Sequence, residues 1–205
     1  MSKNAVDSTS CSQKSRHLRI SAPSPWIVRW AHLIPENGEV LDLAAGGGRH
    51  GRLLMENGHT VTFVDRTAEP LADLQDDPHA TVIEADLEND QPWPLRGRRF
   101  DAVIVVNYLY RDLFPHLLDS LKPGGVLIYE TFARGNEDHA RPRNPDHLLT
   151  SGELLDAVRG KLQVVAYEHG LVTSADIPGV KQRLCAVNDL AGSTREDGDP
   201  PAHKI

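Results

Sequence analysis

Apolar runs and helical patterns alternate along the middle of the chain. Glu39 to Leu43 reads as a short apolar strand. Arg49 to Asn57 follows as a helix, closed by Gly58 where a helix end favours glycine. Thr60 to Val64 predicts a second strand ending in Asp65, Ala68 to Gln75 a short helix, and Thr81 to Glu84 a third strand. Phe100 to Val106 is a fourth strand, interrupted only by Asp101. Leu113, Leu117 and Leu121 then recur at helical spacing. Pro115 fits only a first turn, so that helix begins near Asp112. Lys122-Pro123-Gly124-Gly125 breaks it, and Val126 to Tyr129 is a fifth strand. Thr150 and Glu153 match a capping box for a helix holding Leu154, Leu155 and Val158. Leu162 to Tyr167 and Val180 to Val187 close the pattern as an antiparallel pair.

Strands that are apolar throughout and alternate with helices predict an α/β fold, a parallel sheet covered on both faces. Met1 to Arg19 and Asp189 to Ile205 are polar and aperiodic. They divide the chain into a disordered leader (1–19), a single domain (20–188) and a disordered tail (189–205). Trp26 and Trp30 lie one helical turn apart, as packing residues or as part of an N-terminal helix over a ligand site.

Composition narrows the partners. The chain has 205 residues, 40% of them hydrophobic, and a net charge of −7. That balance points to a small-molecule partner rather than nucleic acid. No apolar run is long enough for a membrane helix, and the first residues do not form a signal peptide. Cys11 and Cys185 read as reduced thiols of a cytoplasmic protein, and the histidines lack metal-ligand spacing.

A parallel sheet of this kind binds ligands at the carboxyl ends of its strands. Ala44-Ala45-Gly46-Gly47-Gly48 follows the first strand directly. Consecutive glycines between a strand and a helix indicate unusual dihedrals or close approach of a ligand to bare backbone. Gly46, Gly48 and Gly51 also satisfy a dinucleotide-type spacing, with Asp65 at the expected distance. Asp42, just ahead of the glycines, would repel a pyrophosphate and suits a ligand bearing ammonium and sulfonium charges. Asp65 can accept from ribose hydroxyls. Asp86 can accept from an adenine amino group, while Leu87 offers a backbone N–H and a packing surface.

With these residues in place, the chain resembles the class I S-adenosylmethionine-dependent methyltransferases. The likeness rests on Val40 to Gly48, Asp65, Asp86, the strand from Phe100 to Ile104 and the turn Leu121 to Gly125. It runs from about Trp26 to Val187, with Ala44 standing where the family has its first glycine. It implies a Rossmann-like seven-stranded, mostly parallel sheet with the last strand antiparallel. It implies S-adenosylmethionine as cofactor, with Ala44, Gly46 and Gly48 at its methionine part, Asp65 at the ribose and Asp86 at the adenine. Asn107 is then expected near the amino-acid end or the methyl group. The runs Asn107 to Arg111, Tyr129 to Phe132 and Arg141 to Pro145 resemble the small bacterial tellurite-resistance-type subgroup.

Methyl transfer needs alignment more than a dedicated base. Asn107 and Tyr108 are the candidates nearest the chemistry, with Tyr108 open as base, pocket wall or core residue. Tyr110, Arg111, Glu130, Arg141 and Arg143 are the candidates for the acceptor side. The segment 132–147 is long and polar, and its arginines either meet an anionic acceptor or pair with Glu137 and Asp138. The expected assembly is a monomer or homodimer. A nicotinamide-dependent oxidoreductase on the same glycine turn, and a non-catalytic S-adenosylmethionine-binding protein, are the alternative readings.

Overall fold

The computed structural model describes residues 22–205 except 90, 174–176 and 193–197; the expected leader lies outside this range. Its centre is a seven-stranded sheet in the order β3-β2-β1-β4-β5-β7-β6. The strands are β1 (Glu39–Leu43), β2 (Thr60–Asp65), β3 (Ala80–Glu84), β4 (Phe100–Val106), β5 (Leu121–Phe132), β6 (Gln163–Val172) and β7 (Gly179–Val187). The helices are α1 (Pro25–Trp30), α2 (Arg49–Glu56), α3 (Phe114–Asp119) and α4 (Glu153–Val158). β1 to β5 pair parallel, and β7 runs antiparallel to both its neighbours. This is the expected α/β architecture with its last strand reversed.

Successive residues on the central strands face opposite layers, as the two-residue strand period requires. Leu41, Leu43, Val103, Val105, Leu127 and Tyr129 join one buried cluster with α3 and α4 residues. Val40, Ala102, Ile104, Val126 and Ile128 join another with Trp26, Trp30, Leu54 and Phe63. In α1, Ser24 caps the Trp26 amide and the Trp26 indole N–H donates to the Leu184 carbonyl at 3.2 Å. Trp26 and Trp30 meet edge to face at 5.6 Å, so both serve packing.

Two elements differ from the sequence pattern. Lys122 to Gly125 does not separate a helix from a strand but bulges within β5, between the pairs Phe100 with Leu121 and Ala102 with Val126. Lys122 reaches Glu39 at 2.6 Å and Asp101 at 2.9 Å, which ties β1, β4 and β5 together at their amino ends. The segment expected as a helix over 68–75 is a 3₁₀ turn, Glu69–Leu74. Of the C-terminal segment, His203 pairs with Asp189 at 2.7 Å and the Lys204 carbonyl lies 3.1 Å from the His32 ring. No helix among the described residues is long and apolar enough to cross a membrane.

Candidate functional site

The strand order reverses between β1 and β4, and ligands in open parallel sheets gather at such a point. Parallel register brings Leu43 beside Val64 and Val105, and Asp65 beside Glu84. Ala44, Asp65, Asp86 and Asn107 consequently emerge along one edge. They line a cleft with two lobes. The larger, about 490 Å³, includes Asp65, Thr67, Asp86, Leu87, Glu88 and Tyr108. The smaller, about 200 Å³, includes Asp42, Gly47, Arg49, His50, Val106 and Ile177. Ala44, Gly46 and Asn107 line both lobes.

The turn that joins them is shaped by backbone geometry. Ala44 and Gly46 adopt left-handed conformations, with φ of 53° and 57°. A Cβ at Gly46 would meet no neighbouring atom within 4 Å, so the room beside this glycine is cleft rather than core. Gly48 faces the other way: a Cβ there would strike Leu71 at 2.6 Å and Phe63 at 3.0 Å. It lets α2 pack on the sheet and does not line the cleft.

Asp42 and Asp65 brace this turn. The Gly46 amide donates to Asp65 Oδ2 at 2.8 Å, and the Thr67 amide to Oδ1 at 3.1 Å. A carboxylate has room for about four hydrogen bonds, so both oxygens of Asp65 keep lone pairs for a ligand. The Gly51 amide donates to Asp42 Oδ2 at 2.9 Å. Burial pushes the Asp42 carboxyl up to about 7, against the pull of that amide. On the outer tip, Asp86 Oδ1 accepts the Glu88 amide at 3.0 Å.

Tyr108 forms a wall of the larger lobe. Its hydroxyl is buried and faces the Glu88 side chain. Burial, and then the nearby Glu88 charge, raise its pKa above the ordinary tyrosine range. It therefore keeps its proton at neutral pH and is a poor base. Asn107 follows β4 in a left-handed conformation, φ 57°. Its side-chain Oδ1 accepts from Lys181 Nζ at 2.9 Å.

Several expected acceptor residues are committed elsewhere. Glu130 is 1% exposed and does not reach the cleft. It accepts from Ser24 at 2.9 Å and pairs with Lys181 at 2.6 Å and Arg183 at 3.0 Å. Arg111 pairs with Glu153 at 2.6 Å and donates to the Asp146 and Leu148 carbonyls at 2.7 and 3.0 Å. It fastens the polar loop instead of facing a ligand. Tyr110 packs against the core cluster. Arg141 and Arg143 lie on that loop and line neither lobe.

Sequence reasoning missed Glu88, Arg49, His50 and Lys181. Burial pushes the His50 imidazole down to about 3, helped by the Arg49 and Lys181 charges, so it is neutral. Lys181 had a visible sign, a lysine near the start of the strand expected over Val180 to Val187. Among the described residues no group of three or more histidine, cysteine or acidic side chains could hold a metal ion.

The cleft suits a nucleoside better than a pyrophosphate. Its volume falls within the roughly 300–1,000 Å³ usual for small-molecule sites. In the larger lobe the carboxyl groups of Asp65, Asp86 and Glu88 outnumber Arg66; they offer acceptors for hydroxyl and amino groups and would oppose phosphate charge there.

A family model described as a methyltransferase domain matches residues 40–125. The Bacillus subtilis protein YqeM is 31% identical over 121 residues, 53% of this chain and 49% of YqeM. The chain thus spans about half the length of that curated relative. TehB of Haemophilus influenzae has a similar fold, with a TM-score of 0.66 at 18% identity, covering 85% of this chain and 65% of TehB. The N-methyltransferase NodS of Bradyrhizobium japonicum, in complex with S-adenosyl-L-homocysteine, aligns with a TM-score of 0.59 at 16% identity, covering 86% of this chain and 97% of NodS.

Proposed function

We propose that this chain is an S-adenosylmethionine-dependent methyltransferase acting on a small acceptor. The observation that carries this reading is the row of carboxyl groups, Asp42, Asp65 and Asp86, behind the tips of β1, β2 and β3 along one cleft. The methyltransferase-domain match covers that same stretch, including the glycine turn and all three acids. NodS, of similar fold, has been crystallised with the product that S-adenosylmethionine leaves behind.

In this reading Asp65 takes the ribose hydroxyls, Asp86 and Leu87 the adenine edge, and Ala44 and Gly46 the methionine part. When bound, S-adenosylmethionine supplies a methyl group on a positively charged sulfur. The chain's own work is to hold the acceptor in line and keep water away, which is where most of the rate gain arises in such a displacement. Asn107 and Tyr108 border the place where this occurs, Tyr108 as a wall with its proton in place.

We place the protein with the small tellurite-resistance-type methyltransferases on its runs Asn107 to Arg111, Tyr129 to Phe132 and Arg141 to Pro145. The fold likeness to TehB supports that placement. The acceptor is then a small anion or soft nucleophile, met by Arg141 and Arg143 when the loop engages it.

Calorimetry tests the cofactor: S-adenosylmethionine and S-adenosylhomocysteine bind, and NAD does not. Release of S-adenosylhomocysteine with a panel of thiol, selenite and tellurite acceptors tests the reaction. Binding without turnover on any acceptor would favour a non-catalytic role.

A further inference from the structure

Beneath the smaller lobe lies a buried ionic group. Lys181 and Glu130 are each 1% exposed and Arg183 is 9% exposed. Two cations share one carboxylate, Lys181 through Oε1 and Arg183 through Oε2. Buried charges persist only when paired and hydrogen-bonded. Arg183 also reaches a second carboxylate, Glu168, at 3.2 Å, while Lys181 finds its second partner in Asn107, whose Oδ1 lies 2.9 Å from Lys181 Nζ. Phe132 presents its ring face to the same ammonium at 5.0 Å.

This fixes which way the Asn107 amide points. An ammonium carries only donors, so the atom facing it must be the amide oxygen. The NH₂ is the other branch of the same planar group, on a residue that lines both lobes. The backbone is held too, since the Asn107 amide donates to the Glu130 carbonyl at 2.7 Å.

We propose that Lys181 is a positioning residue that sets the polarity of the cleft, turning the Asn107 NH₂ toward the seam so that this point receives a carboxylate oxygen and not a cation. Arg49 on the same lobe adds a second positive group. The carboxylate is that of the amino-acid part of the donor, so the inference rests on the adenosyl-donor reading above.

Removing Lys181 leaves Glu130 paired with Arg183 and hydrogen-bonded to Ser24, so Lys181→Met keeps a balanced pair in the interior. The amide is then free to turn over. Asn107→Asp is an independent variant: one oxygen still faces Lys181 and the other replaces the NH₂ with an acceptor.

The experiment compares two ligands by calorimetry on the wild type and both variants. S-Adenosylhomocysteine carries the carboxylate, and 5′-methylthioadenosine has the same adenosine without the amino-acid end. Each variant is expected to weaken S-adenosylhomocysteine about tenfold, the scale of one charge-assisted hydrogen bond, and to leave 5′-methylthioadenosine within about twofold. Equal weakening of both ligands would mean that Lys181 merely supports the wall, and unchanged affinity for both would mean that the NH₂ meets nothing. Either result overturns the proposal. Failure of the wild type to bind either ligand would overturn the donor reading itself.

Discussion

Asp65 accepts the Gly46 amide at 2.8 Å, so the carboxylate offered to the ribose also pins the glycine turn. Asp65→Ala removes both functions. It is expected to weaken S-adenosylhomocysteine binding at least about tenfold, since each hydrogen bond to a charged group contributes about 1.5–3 kcal/mol. Asp65→Asn keeps an acceptor for the amide and should lose less. Unchanged calorimetric affinity in Asp65→Ala would show that the ribose lies elsewhere.

Glycines of this turn and of the helix that follows it should separate by function. At Gly51, an added Cβ would collide with the Phe63 ring and Val61, all in the core. Gly51→Ala should therefore cost about 3 kcal/mol of stability, as overpacking does. Gly46→Ala faces open space and pays only the left-handed strain, roughly 1–2 kcal/mol. It should nonetheless lose donor binding, because its methyl group enters the cleft. Denaturant unfolding and calorimetry on both variants check the contrast.

Asp42 predicts a pH dependence of stability. Its folded pKa of about 7 lies above the ordinary 3.8. Between those values the folded chain holds a proton that the unfolded chain has released, so its contribution is full below the lower value and is lost as pH rises toward the upper one. Asp42→Asn does not titrate and can still accept the Gly51 amide. Its melting temperature should rise relative to wild type from about pH 4 to about pH 7. A constant difference across that range would show that Asp42 is ionised throughout.

Tyr108→Phe removes a buried hydroxyl that faces the Glu88 side chain. Losing it should change stability by less than about 1 kcal/mol and the transfer rate by less than about threefold, because desolvation of the hydroxyl offsets most of what its contact with Glu88 contributes. Tyr108→Ala opens the wall and should cost far more. A large rate loss in the phenylalanine variant would assign the hydroxyl a part in the chemistry.

Arg111 holds the polar loop through Glu153 and two carbonyls. Arg111→Ala should speed hydrogen exchange at the Arg134 and Leu149 amides, which bond across the loop base. β4 amides should keep their protection. Uniform exchange across the domain would instead mean global destabilisation.

Strands buried on both faces were legible in the sequence: β1 and β4 fall where their apolar runs begin and end. The edge strand β3 is half exposed, carries Thr81 and Glu84, and gives a weaker pattern. Asp65, Asp86 and Asn107 were legible because a strand tip is set by local sequence. The roles of Glu130 and Arg111 were not. A charged residue at a strand tip reads as facing a ligand until its partners are known. The lysine that pairs with Glu130 is 51 residues away, and the glutamate that pairs with Arg111 is 42. Lys122 belongs to the same class, its clamp resting on Glu39, 83 residues earlier.

The cleft walls come from four strand tips, at Asp42, Asp65, Asp86 and Asn107, with no two of them in one local hairpin. A ligand that touches all four acts as a cross-strand fastener, and its binding free energy is added to that of folding the sheet. Cooperative melting should then shift as one transition when donor is titrated, with β1 to β4 gaining exchange protection together.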